Sequence, residues 1–156
     1  MIKQSEWVVA IALSIVVIVL HGLFMSHAGA LWRDEADVVQ LAMMPTARDI
    51  LQNFQIGSTP ILFPFSLRAY TAIVGDSDFA LRVLGMLVGM GIMSAVWLNA
   101  RLVGQGLPLI SLLLLGFNTL FIQWGDSIRG YGIGSELNLL AFALLVRVVE
   151  QPNWAR

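Results

Sequence analysis

Apolar residues in this chain run in long unbroken stretches, and the polar ones collect between them. Residues 7–25 hold no formal charge, and a helix rising about 1.5 Å per residue carries such a stretch across roughly 30 Å of hydrocarbon. They predict a first transmembrane span over residues 7–27. Ala28-Gly29-Ala30 also fits a signal-peptidase site. The apolar run, however, exceeds the roughly 7–15 residues of a secretory core, and only Lys3 charges the segment before it. Residues 79–100 predict a second span, with Arg82 near one end, where a long side chain can snorkel to the interface. Residues 107–124 predict a third and residues 131–149 a fourth, the last with Glu136 in its first turns and Arg147 near its close. In the second span, Gly85-x-x-x-Gly89 and Gly91-x-x-x-Ala95 allow close helix packing.

Between the first and second spans the periodicity shortens. Val38, Leu41 and Ala42 make a brief apolar stripe that Pro45 ends; Ile50, Leu51 and Phe54 make another, ended near Gly57. Thr46 and Asp49 have the spacing of a capping pair that opens the second. Residues 61–75 are short for a crossing. Within them Pro64, Arg68, Thr71 and Gly75 recur at helical spacing as one polar stripe on an apolar helix. This segment reads as an interfacial helix, so the outer loop 28–78 carries short amphipathic helices and the chain has about four spans. If 61–75 crosses instead, there are five. Charge favours four: Lys3, Arg101, Arg147 and Arg156 then share the cytoplasmic side, and every carboxylate except Glu6 and Glu150 lies outside. The expected class is all-α integral membrane, one domain over 1–156, multi-pass in a plasma (inner) membrane with its N-terminus cytoplasmic. Ser58 and Ser127 then face outward and Gln105 inward.

Composition supports that class and removes others. Of 156 residues, 58% are hydrophobic and mean hydropathy is +0.80, well outside the soluble range. A formal net charge of −1 with nine scattered Lys and Arg residues gives no basic patch for nucleic acid. The absence of cysteine removes disulfides, thiol nucleophiles and thiolate zinc sites, so any metal would rest on oxygen ligands or on His21 and His27. Neither histidine has an i,i+4 partner, and both read as packing or exposed imidazoles. Met43-Met44 reads as apolar contact surface.

Against this background the charge of "WRDEAD" (32–37) and "GDSIRGYG" (125–132) stands out, and four spans bring both to the outer side. Asp34 and Glu35 are adjacent, so on a helix they point about 100° apart: one can face a substrate while the other pairs with a cation. Asp126, Arg129 and Tyr131 add a second carboxylate, a planar fork able to hold two phosphate oxygens, and a phenol. Arg68 is a further candidate for a phosphate. Structural readings stay open, since Asp34 with Asp37 also fits a helix cap and Arg129 an interfacial anchor.

Taken in order, the apolar first span, "WRDEAD", "TPILFPFSLRAYTAIVGDSDFALRVLGMLVG", a span ending near "ARLVG", and "LLLLGFNTLFIQWGDSIRGYG" form one pattern. It resembles the N-terminal part of GT-C-type membrane glycosyltransferases, similar to protein O-mannosyltransferases and aminoarabinose transferases, from residue 7 to residue 150. The resemblance implies a catalytic carboxylate at Asp34 with Glu35 as its neighbour, and a sugar donor carried on polyprenyl phosphate. An Arg-x-Tyr element on the outer face corresponds to Arg129 and Tyr131. Asp126 departs from the pattern, because the family often sets its acid nearer the arginine. Length departs too: family members have many more spans, so this chain corresponds to the front of a catalytic module that needs a C-terminal part or partner subunit, and the isolated chain is expected to be inactive. The implied reaction moves a sugar to a lipid, glycan or protein acceptor at the outer face, amid membrane lipids. No cofactor is assigned; the cation at the leaving phosphate is either Arg129 or a divalent metal ion. The residues alone leave a second class open, a small structural or partner-binding membrane protein. A transporter fits less well, because no span carries an ionisable residue at its middle.

Overall fold

The computed structural model describes residues 3–54, 59–104 and 106–150. Every regular element among them is a helix: α1 (Gln4–His27), α2 (Arg33–Ala42), α3 (Ala47–Asn53), α4 (Leu62–Val74), α5 (Asp78–Leu102), α6 (Leu109–Gly116), α7 (Thr119–Gly125) and α8 (Gly130–Glu150). The protein is all-α and membrane-embedded. Its helices α1, α5 and α8 are each long and apolar enough to cross a bilayer, where a helix satisfies its own backbone polar groups.

Helix α5 is the centre of the bundle. Helix α1 runs antiparallel to it: Trp7 stacks on Trp97 with centroids 5.8 Å apart, Trp97 Nε1 donates to Ser14 Oγ at 3.0 Å, and His21 lies beside Gly89. Helix α8 runs in the same direction as α5. Gly132 meets Val88, Glu136 meets Gly91, and Asn99 Nδ2 donates to Leu139 O at 2.7 Å. The small residues act as their spacing suggested. A Cβ on Gly89 would collide with the Asp126 carboxylate and the His21 ring, and one on Gly132 with Gly125 O.

The predicted third span is broken. It forms α6 and α7, interrupted at Phe117-Asn118, where Asn118 Oδ1 accepts from Phe121 N at 3.1 Å and starts a new helix. Asn competes with helical backbone bonding through its own side chain, and one such residue scarcely lowers the hydropathy of a long apolar run. Together α6 and α7 return the chain along α1 and α5, so it still passes along the bundle four times.

Helices α2, α3 and α4 gather where α1 ends and α5 begins. Helix α4 lies on α2, and its contact with α5 is at that helix's start: Tyr70 OH donates to Ala80 O at 2.7 Å. Phe63 and Leu67 of α4 pack with Val38, Ala42, Leu81 and Ile128 in one buried cluster. The polar stripe of α4 turns inward rather than toward water. Pro64 is buried and Arg68 donates to Met44 O and, at 2.9 Å, to Pro45 O, whereas Leu62, Ile73 and Val74 are exposed. An apolar outer face suits a helix lying in a membrane interface.

The capping pair of α3 forms as expected, with Thr46 N donating to Asp49 Oδ2 at 3.0 Å and Asp49 N to Thr46 Oγ1 at 3.1 Å. The cap of α2 is different from the Asp34–Asp37 expectation. Trp32 is the cap residue and its N–H donates to Glu35 Oε2 at 2.9 Å, so Asp34 takes no part in the cap. Gly57, Ser58, Gln105 and Arg156 lie outside the described residues; Ser127 is buried.

Candidate functional site

The two charged stretches meet. The first turn of α2 presents Asp34, and the turn between α7 and α8 presents Arg129, whose Nη1 lies 3.1 Å from Asp34 Oδ2. Asp34 is half exposed, with 53% of its side chain accessible, against 14% for Arg129. The guanidinium sits 4.6 Å from the centre of the Tyr131 ring, and Trp124 meets that ring edge-on at 5.8 Å. Stacking on an aromatic face fixes the plane of the guanidinium while leaving its edge free for oxygen ligands. Asp34 and Arg129 border a cleft of about 440 Å³ whose wall also includes Arg33, Asp37, Met44 and Asn53. That volume falls within the roughly 300–1,000 Å³ of small-molecule sites.

Glu35 points the other way, into the protein. It is 3% exposed. Its Oε1 accepts from Ile128 N at 2.8 Å and from Arg82 Nη1 at 3.3 Å, while Oε2 takes the Trp32 N–H. Arg82 does not snorkel to an interface; it is buried, because its Nη2 also donates to Gly29 O at 3.2 Å and Ala30 O at 2.9 Å. Its Nε has no partner among the described residues. Glu35 is therefore a joint between α2, α5 and the 126–129 turn, and it reaches no part of the cleft wall.

Asp126 is not beside Arg129 in the cleft either. Its carboxylate turns inward to His21 Nδ1, with oxygen distances of 2.8 and 2.7 Å, and is 3% exposed. His21 is thus a paired side chain rather than simple packing, whereas His27 is exposed as expected. The 126–129 turn is held from both sides, through Asp126 to α1 and through the Ile128 N–H to Glu35, and this fixes the point from which Arg129 reaches Asp34. Arg68 spends its donors on the C-terminal carbonyls after α2 and borders a separate groove with Thr71 and Gly75.

Of the six candidate residues, the structure brings together Asp34, Arg129 and Tyr131, and assigns Glu35, Asp126 and Arg68 to holding elements in place. His21 and Arg82 were not singled out for this. The available signal was an ionisable side chain inside an apolar run, which must find a partner. Asp34 is paired with a guanidinium, and among the described residues no three His, Asp or Glu side chains converge. Comparison with known proteins supplies no relative, since no family model, curated protein or solved structure matches the chain.

Proposed function

We propose that this chain carries part of the active site of a membrane glycosyltransferase that takes its sugar from a polyprenyl-phosphate donor at the outer membrane interface. The observation that carries the reading is the half-exposed Asp34 set against Arg129 on the rim of one cleft, with an amphipathic helix, α4, packed on the same helix α2 and its exposed face largely apolar. A lipid-linked sugar requires such a place, with its tail in hydrocarbon and its phosphate within reach of a cation.

In this reading the donor phosphate competes with Asp34 for the guanidinium, so that binding frees the carboxylate it displaces. Asp34 then accepts the proton of an acceptor hydroxyl as that oxygen forms its bond to the anomeric carbon. The bond from that carbon to the phosphate oxygen breaks on the opposite face. Polyprenyl phosphate departs with its charge held by Arg129, and the anomeric centre inverts. General-base help of this kind contributes roughly 10²–10⁴-fold, and a bidentate arginine suits a phosphate because its two parallel donors match two oxygens. Tyr131 keeps the guanidinium in plane.

The test is transfer of label from polyprenyl-phosphate sugars in membranes containing the protein expressed from its whole reading frame, compared with membranes lacking it. Label entering a new lipid, glycan or protein product supports the reading, and none with any donor sugar removes it. The Asp34–Arg129 ion pair favours one other reading, a structural clasp in a non-enzymatic membrane protein, which predicts no transfer and lower stability when the pair is cut.

A further inference from the structure

Helix α8 has two stripes. One, through Gly132, Glu136, Leu139 and Ala143, lies on α5. The other runs from the half-buried Gly134 through Asn138, Ala141, Leu145 and Val148, which are exposed. Its steps alternate four and three residues, the repeat that brings two helices together along a left-handed seam at about +20°.

Two residues on this stripe make no contact among the described residues that explains them. The other described asparagines use their amides: Asn53 Nδ2 donates to Asp49 O, Asn99 Nδ2 to Leu139 O, and Asn118 Oδ1 accepts from Phe121 N. Asn138 does neither among the described residues and is exposed. At about 1.5 Å per residue it lies about 12 Å along α8 from Gly130, well inside a span. A carboxamide facing lipid there has no water to bond. One turn earlier is Gly134, which weakens a helix by about 1 kcal/mol relative to alanine, yet nothing lies within 4 Å of where its Cβ would be. A backbone left bare beside an unmet amide is the arrangement in which another helix comes close enough to bond.

We propose that this stripe is a homodimer interface, covered by α8 of a second copy of the chain. The amide selects the occupant. A carboxamide donates and accepts, so it is its own complement across a two-fold axis. Two copies in one membrane insert in the same direction, which makes their α8 helices parallel and sets Asn138 opposite Asn138 without a shift in register. A single polar residue in such a seam fixes orientation and register in parallel helix pairs.

The chain has no cysteine, so single cysteines report on the seam directly. In membranes containing the full chain, Leu145→Cys, on the stripe, should form a disulfide-linked dimer on mild oxidation, and Leu144→Cys, exposed but turned about 100° away, should not. Adding Asn138→Leu should weaken dimerisation about 3- to 30-fold when followed by dilution in lipid with a fluorescent pair, and Asn138→Gln should keep most of it. Leucine at a lipid-facing position leaves the monomer intact, so loss of the dimer in that variant is not loss of fold. Equal linkage at 144 and 145, none at 145, or a dimer indifferent to Asn138→Leu overturns the proposal; absence of linkage at 145 means that a different helix, or lipid, covers the stripe.

Discussion

Asp34 and Glu35 carry the same functional group one residue apart and meet opposite surroundings, because a helical step of about 100° turns one to the cleft and the other to the core. Neutralising each should therefore read out differently. Asp34→Asn removes the base and the ion pair with little change in packing; transfer activity should fall about 100-fold or more while the melting temperature stays near that of the parent. Asp37→Asn, on the same rim but outside the Arg129 pair, is the control and should stay within about 1 kcal/mol in stability with near-parental turnover. Near-parental turnover in Asp34→Asn would remove the base assignment. Glu35→Gln leaves Arg82 buried without a counter-charge, a class of change that costs about 3–5 kcal/mol. Thermal melting in detergent should show a large loss for it, partly restored when Arg82→Gln is added. A melting temperature unchanged by Glu35→Gln would mean the joint bears no weight.

Among the elements, the closest fit is between α5 and the 126–129 turn. A Cβ on Gly85 would overlap the Asp126 carbonyl, and the obstacle is backbone, which cannot rotate away as a side chain can. Gly85→Ala should cost about 1–3 kcal/mol as an overpacked contact and lower transfer activity as well, because Arg129 moves with the turn; stability and activity measured on one preparation check this. The pattern of the chain announced much of this architecture. The long helices match unbroken apolar runs, the start of α3 follows from Thr46 and Asp49, and the meeting of 33–37 with 125–131 follows from the number of passes. What stayed hidden was pairing across the sequence. Nothing local to Arg82 says that its partner is Glu35 rather than water at an interface, and nothing local to His21 points to Asp126. The inward turn of the α4 stripe was hidden for the same reason, since periodicity shows that a helix has two faces but not which one meets protein. At the candidate site, the grouping of Asp34, Arg129 and Tyr131 could be expected from chemistry and order, whereas Glu35, Arg68 and Asp126, the last already a departure from the family pattern, stayed candidates until their donors and acceptors were seen to be spent elsewhere.

For the whole molecule, the arrangement predicts that the exposed Asp76 and Arg101 lie on opposite sides of the membrane. Asp76→Cys should react with an impermeant thiol reagent added to intact cells and Arg101→Cys only after the cells are opened; the reverse pattern would turn the candidate site toward the cytoplasm. These two positions are better reporters than Ser127, which is buried. The buried joint of Arg82 and Glu35 also has a consequence for assembly. The chain is made from its N-terminus, so the acid of α2 exists before the cation of α5. Arg82, near the start of α5, has its charge met in the folded protein by Glu35 of α2 and by the carbonyls of Gly29 and Ala30, all of them supplied by the loop made before it. Seating α5 with its arginine buried thus requires residues 29–35 in place, and the 126–129 turn, which borrows the same carboxylate through Ile128, depends on them too. One buried charge pair thereby makes the outer loop, the central span and the cleft turn stand or fall together.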